Sequence, residues 1–157
     1  MNNISKNISY IEATKSLTAI RFGIDNTPNK EQLCNMKILA EKIFQPLREF
    51  FGKPIGISSF FRSPAVNEIL GGSTRSQHCL GQAIDIDADI INNGITNKEL
   101  FDYIKSNLNF DQLIWEFGNN TNPQWIHVSY VSDSKNRNQI LIAYKNSQGK
   151  TIYKNYE

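Results

Sequence analysis

The spacing of apolar residues in the first third of the chain predicts one long amphipathic helix. Apolar side chains recur there at steps of three and four residues, as one face of an α-helix requires: Leu33, Met36, Ala40, Ile43, Phe44, Leu47 and Phe50. Thr27 is the predicted N-cap, Pro28 occupies the first turn, and Gly52 ends the helix. Because Pro46 has no backbone N–H to donate, we expect a kink over residues 42–46.

Shorter periodic segments follow, and strands dominate the second half of the chain. Strand-like runs cover residues 55–60, 82–87, 111–117, 125–131 and 139–144, and a last short strand follows the turn at 147–150. Short helices are predicted over residues 65–70 and from the capping box Thr96–Glu99 to residue 107. Helices first and antiparallel strands later predict the α+β class, with helices packed on a small, mainly antiparallel sheet.

The length of the chain suits one domain. At 157 residues and 39% hydrophobic content, residues 1–157 can build a single core. Within that domain we expect residues 1–8 to be a loose N-terminal arm, because they are polar and terminal. We interpret residues 16–28 as a loop that packs over the first helix.

Composition narrows the partners and the compartment. The net charge of +2, with its basic residues scattered, gives no indication of nucleic-acid binding. No apolar run is long enough for a signal peptide or a membrane span, so we expect synthesis in the cytoplasm and no membrane partner. Cys34 and Cys79 are too few for a secreted disulfide framework, and we interpret both as reduced thiols.

The candidate chemistry begins with the two histidines of the chain. His78 precedes the strand-like run that contains Asp85, and His127 lies within another such run. Two imidazoles and one carboxylate can occupy three positions around a zinc ion and leave a fourth for water, as in catalytic zinc sites. The alternative for each histidine alone is an ordinary core or surface residue.

The ordered motifs around these residues resemble the M15 family of zinc peptidases. The similarity rests on Ser76-x-His78-x-x-Gly81-x-Ala83-x-Asp85, on Trp125-Ile126-His127, and on the upstream segments 57–67 and 71–73. It covers roughly residues 9 to 131. The family includes D-Ala-D-Ala carboxypeptidases and phage endolysin peptidases that cut peptidoglycan stem peptides. The resemblance implies Zn²⁺ as cofactor, His78, Asp85 and His127 as its ligands, and the fold shared by D-Ala-D-Ala peptidases and the hedgehog signalling domain.

Glu116 is the candidate general base. If the two predicted strands pair around the loop 118–124, Glu116 lies near His127 and on the same face of the sheet. A carboxylate in that place can take a proton from water and pass it to the leaving amine. Some relatives carry the acidic base three residues before the second histidine, where this chain has Gln124, which cannot take a proton.

Three further residues are candidates for substrate contact. Arg62, at a strand-to-helix junction, can grip a carboxylate or carbonyl through two hydrogen bonds, and the matching arginine of the family contacts the peptide. Its alternative is a structural salt bridge. Ser76 resembles a substrate-contacting serine and is alternatively a loop cap, and Trp125 is either a cleft wall or a core residue. Phe60 replaces a glycine common in relatives, so we expect a narrowed or reshaped cleft.

These features favour a zinc peptidase that hydrolyses an amide bond in peptidoglycan stem peptides. Without a signal peptide or wall-binding domain, release through a holin pore would suit a phage endolysin, and we expect a monomer. The departures at Phe60 and Gln124 leave a non-catalytic zinc-binding module on the same fold, such as a virion component, as the alternative. A serine peptidase using Ser76 and His78 is disfavoured, because no nucleophile elbow surrounds Ser76.

Overall fold

The computed structural model describes residues 3–157 as helices packed on a six-stranded mixed sheet. The strand order is β1-β2-β4-β3-β5-β6, with β3 and β5 parallel and every other neighbouring pair antiparallel. The strands are β1 (Ile57–Ser59), β2 (Ala83–Ile86), β3 (Gln112–Glu116), β4 (Trp125–Ser129), β5 (Gln139–Lys145) and β6 (Thr151–Asn155). The α+β prediction is thereby confirmed.

Six α-helices are present among the described residues, and only the third and the sixth are longer than two turns. They are α1 (Tyr10–Thr14), α2 (Leu17–Phe22), α3 (Lys30–Leu39), α4 (Gln45–Phe51), α5 (Pro64–Ile69) and α6 (Asn97–Asn107). A π-helical turn (Ala40–Phe44) joins α3 to α4, and 3₁₀ turns occupy Gln77–Leu80 and Ala88–Ile90. Across residues 3–157, none of these helices has the length and apolar character that a membrane crossing requires.

Side chains alternate between the two faces of the sheet along each strand, so one face can be apolar and buried while the other carries polar groups. One face carries core residues that belong to the same buried cluster as residues of α3, α4 and α6: Ile84, Ile86, Ile126, Val128, Leu113 and Trp115. The opposite face carries Asp85, His127, Ile114 and Glu116 from the same three strands. The central strands are therefore anchored from one side and present polar groups on the other.

The long helix differs from its prediction at both the start and the kink. It begins at Lys30, because the Asn29 side chain accepts a hydrogen bond from the Gln32 N–H and Gln32 returns one to the Asn29 N–H. This capping box displaces the predicted Thr27–Pro28 start. At the predicted kink the chain forms the π-helical turn, which leaves Pro46 in the first turn of α4, where a missing donor is tolerated.

The N-terminal region is more ordered than the sequence suggested. Ile4 and Ile8 are buried in the core and Ser5 pairs with Ile8 in a short bridge, so residues 3–8 are not the loose arm that we expected. Met1 and Asn2 lie outside the described residues. The predicted loop at 16–28 contains α2, because Ser16 caps the Ala19 N–H and Gly23 ends the helix at φ +64°.

Candidate metal centre and cleft

Two of the three predicted ligands face each other across neighbouring strands. Asp85 of β2 pairs in register with His127 of β4, and Oδ1 of Asp85 lies 2.9 Å from Nδ1 of His127. Direct partners in an antiparallel pair project to the same face, so the register alone brings the carboxylate and the imidazole together. The sheet thus fixes one edge of the candidate site.

The third predicted ligand, His78, comes from the 3₁₀ turn before β2. Its ring is buried, and Nδ1 lies 2.7 Å from the Phe60 carbonyl oxygen, which accepts a hydrogen bond from that nitrogen. This bond leaves Nε2 as the unprotonated atom and points it at Asp85, whose Oδ1 is 3.2 Å away. Fixing one ring nitrogen to orient the other is the usual arrangement of metal-binding histidines.

Helix α3 and β3 hold the His78 turn in place. The turn ends at Gly81, with φ +70°, and a Cβ at this position would lie 2.4 Å from the Gln32 carbonyl oxygen of α3. The Gln32 side chain donates to the Cys79 carbonyl, and Gln77 donates to the buried Asp111 carboxylate just before β3. The position of His78 is therefore set by contacts on both sides of the turn.

The three side chains fit a divalent metal ion. Their candidate ligand atoms all lie within 4.8 Å of one another. His78 Nε2 is buried, yet it makes no hydrogen bond with any residue in the described range 3–157. A buried nitrogen without a partner is costly in a folded protein, and a bound cation would satisfy it. Cys79 is a free, half-buried thiol outside this three-residue group.

The protonation states match those of metal ligands. Burial lowers the pKa of His78 and keeps its imidazole neutral, despite the neighbouring Asp85. Burial alone would raise the pKa of Asp85, but the hydrogen bond from His127 outweighs it and holds that pKa well below its usual range. A neutral imidazole and an ionised carboxylate are the forms that bind metal ions.

Glu116 lies on the same face of the sheet as the three ligands. Its register partner on β4 is Trp125, while His127 pairs with Ile114, so Glu116 is the diagonal neighbour of His127 rather than its direct partner. Burial, with a smaller contribution from Asp85, raises the pKa of Glu116 to about 7, although His127, Arg62 and Lys145 oppose the shift. A carboxyl group poised near neutrality is suited to proton transfer.

Arg62 stands beside the carboxylate of the triad. Its Nη2 lies 3.9 Å from Oδ2 of Asp85, and its backbone N–H donates to the His78 carbonyl. Nε of Arg62 is buried and makes no hydrogen bond with any of the described residues. The side chain as a whole is 18% exposed and lines the cleft, so its terminal N–H groups have donor capacity left for another molecule at the site.

An open cleft of about 580 Å³ surrounds these groups. Ser76, Trp125, Arg62 and Glu116 all line it together with the triad, so each predicted site residue lies at this one place. The cleft has further lining residues that the sequence analysis missed, among them Leu141, Thr151 and Tyr153 of β5 and β6. The sequence predicts the strands that carry these residues, but it does not predict the parallel pairing of β5 with β3 that brings them to the cleft.

The structure places Phe60 and Gln124 away from the cleft. Phe60 is 1% exposed and packs in the core, so our expectation that it narrows or reshapes the cleft is wrong, and only its carbonyl serves the site. Gln124 is exposed, and its backbone N–H donates to the Glu116 carbonyl. The carboxyl group beside the triad is that of Glu116.

Comparison with known proteins identifies the family. A family model described as Peptidase M15 matches residues 6–129, a span that contains His78, Asp85, Glu116 and His127. No curated protein matches the chain. The match covers most of the chain and includes the candidate site. The chain belongs to the M15 peptidase family.

Proposed function

We propose that this protein is a zinc-dependent peptidase that hydrolyses an amide bond in peptidoglycan stem peptides. The observation that carries the proposal is the convergence of two imidazoles and a carboxylate within 4.8 Å, in a cleft that also holds a buried carboxyl group with a raised pKa. Membership of the M15 family supports peptide hydrolysis as the reaction.

The ligand set favours zinc among the common divalent ions. Imidazole nitrogen suits zinc and later transition metals, whereas magnesium and calcium prefer sites made of oxygen ligands. His78, Asp85 and His127 would hold the ion. Zinc bound there would lower the pKa of water and polarise the peptide carbonyl.

Glu116 would move the protons of the reaction. As a carboxylate it accepts a proton from the attacking water, and as the acid it gives that proton to the amide nitrogen that leaves. Burial beside Trp125 and Phe117 shields the group from solvent and supports the proton-bound form between the two steps. The single carboxyl group can thus serve both transfers.

Arg62, Ser76 and Trp125 would bind and orient the peptide. The free donors of Arg62 suit a carbonyl or carboxylate oxygen of the substrate, which also gains from the positive charge as the carbonyl becomes an oxyanion. Ser76 offers a hydroxyl next to the metal-binding turn, and Trp125 a half-buried ring next to Phe117. The cleft volume is ample for a few small residues.

The proposal also includes the substrate, the shared fold, the oligomeric state and the biological role. The peptidoglycan substrate and the fold shared with D-Ala-D-Ala peptidases and the hedgehog signalling domain rest on the motif resemblance. A monomer acting as an endolysin, released to the wall after synthesis, is the setting we propose. The non-catalytic alternative was motivated by Phe60 and Gln124, and neither residue lines the cleft, so neither observation favours it.

Muropeptide digestion tests the proposal. Purified peptidoglycan is incubated with the zinc-loaded protein, with and without EDTA, and products are identified by mass spectrometry. We expect new amine termini that EDTA abolishes, and a fall in kcat of about 10²–10⁴-fold for Glu116→Gln. Gln124→Glu, its control, adds a carboxylate at the alternative position and should leave kcat nearly unchanged. Activity of Glu116→Gln equal to wild type would refute the assigned base, and absence of any product would refute the function.

A further inference from the structure

A second groove shares two residues with the cleft. Arg62 and Asp85 line both cavities, and the second one, of about 640 Å³, continues from them along β1. The strand order puts β1 at the edge of the sheet, beyond β2 and away from β4. The second groove therefore leaves the metal centre in the direction opposite to the cleft over β4, β3 and β5.

The floor of this groove is an edge strand. Among the described residues, β1 pairs only with β2, and its central residue Ser58 is exposed. An edge strand offers backbone N–H and C=O groups to any extended chain laid beside it. Addition of a peptide to such an edge is a common mode of peptide recognition.

The walls of the groove are apolar and exposed. Leu17 of α2 is 73% exposed, and Leu70, Ile90 and Ile91 are also largely accessible, yet all four line this one groove. Single exposed apolar side chains are ordinary, but several gathered around one groove indicate a surface that binds a partner. Glu12 and Lys15 supply charges at its rim.

We propose that this groove, which we call the β1 groove, binds the peptide on one side of the scissile bond while the main cleft binds the other side. The protein would then be an endopeptidase that cuts within a peptide rather than at its end. The inference rests on the proposed peptidase function and deepens it. Because the groove continues past Arg62, this guanidinium would contact an internal carbonyl rather than a terminal carboxylate.

The chemistry of the groove selects an extended segment with small apolar side chains. Backbone pairing with β1 would hold the segment straight, and the walls would cover methyl-sized groups such as those of alanine. A cross-linked muropeptide dimer carries several residues on each side of its cross-linking bond, whereas the terminal bond of a monomeric stem peptide has only one residue on its C-terminal side. We therefore assign the cross-linked dimer as the preferred substrate.

The test compares two leucine-sized residues on one short helix. Leu17 lines the β1 groove, whereas Ile20 does not, and both belong to α2 and are 73% exposed. Leu17→Ser and its control Ile20→Ser are assayed for hydrolysis of purified monomeric and cross-linked muropeptides. We expect Leu17→Ser to raise KM for the dimer about tenfold and KM for the monomer much less, whereas Ile20→Ser should change neither KM.

A binding measurement separates failure of this inference from failure of the proposed function. Fluorescein-labelled cross-linked dimer is titrated, by anisotropy, into zinc-loaded Glu116→Gln with and without Leu17→Ser. Weaker binding caused by Leu17→Ser supports the β1 groove even if no muropeptide is cut by the wild type. Equal binding, or equal effects of Leu17→Ser on dimer and monomer, would overturn the inference even if hydrolysis is confirmed.

Discussion

Asp85 contacts both histidines of the site through a single oxygen, which lies 2.9 Å from Nδ1 of His127 and 3.2 Å from Nε2 of His78. The carboxylate therefore connects a ligand held by the sheet with a ligand held by the preceding turn. Its loss would affect both imidazoles at once.

Asp85→Asn is expected to lower zinc affinity more than about 100-fold. The substitution removes the one negative charge of the ligand set, and this loss should exceed the 10–100-fold effect known for outer-shell partners. Competition with a chromophoric chelator measures the affinity. Asp89→Asn, an exposed change four residues later, controls for the lost charge and should bind zinc as wild type does. Equal affinities of the two variants would contradict the assignment.

The raised pKa of Glu116 predicts a pH dependence of stability in the metal-free protein. The native state keeps a proton on Glu116 between its ordinary pKa of 4.5 and about 7, while the unfolded chain loses it. The unfolded state binds fewer protons in this window, so the free energy of unfolding should fall as pH rises through it. Glu116→Gln should abolish this decline, which is at most about 3 kcal/mol.

Urea unfolding in EDTA at pH 4 to 8 measures this effect. Glu41→Gln, at an exposed position of the π-helical turn, also removes one negative charge and should leave the decline in place. A decline of the same size in Glu116→Gln and wild type would show that another group is responsible.

Phe60→Ala should cost stability and leave substrate preference unchanged. The side chain is fully buried, and deleting a buried phenylalanine costs about 3–5 kcal/mol. Phe50→Ala, at a position 65% exposed, should cost much less. Chemical unfolding gives the stabilities, and the ratio of kcat/KM values for two muropeptides gives the preference. If the folded Phe60→Ala variant showed a changed ratio of kcat/KM values, Phe60 would influence substrate choice and this prediction would be wrong.

Arg137→Met should destabilise the protein by about 2–3 kcal/mol at neutral pH, because it leaves the buried Asp111 carboxylate without its ion-pair partner. Hydrogen bonds from Arg137 hold the pKa of Asp111 below its usual range. The stabilisation is therefore full above the ordinary pKa and lost as pH falls through the lower native one. Thermal unfolding from pH 3 to 7 should show the two proteins converging in acid, and a constant difference would contradict this.

The metal triad could be predicted because its members lie within short, well-marked segments. Asp85 and His127 sit in alternating runs whose periodicity fixes the face they share, and the pairing of β2 with β4 then brings them together. The motif resemblance supplied His78, which lies in a turn without periodicity. Glu116 was placed on the correct face, but its direct partner is Trp125, because the loop after β3 sets a register that composition does not reveal.

The other predictions failed for two reasons, a choice between competing local caps and long-range packing. Thr27 and Asn29 are both capable caps, and only the reciprocal bonds of Asn29 with Gln32 decide between them. Tyr153 reaches the cleft because β5 pairs with β3 in parallel, a long-range choice that local patterns do not encode. Phe60 was expected at the cleft because relatives commonly have glycine at this position, yet its side chain is buried in the core.

Gly81 takes no part in the chemistry, yet it should tolerate no replacement. Any side chain there would collide with the Gln32 carbonyl oxygen and with Met36, and the positive φ adds a backbone cost of its own. In a randomised library selected only for catalysis, this position should return glycine as consistently as the three ligands do. A residue near an active site can thus be invariant because no side chain fits there, and not only because it reacts.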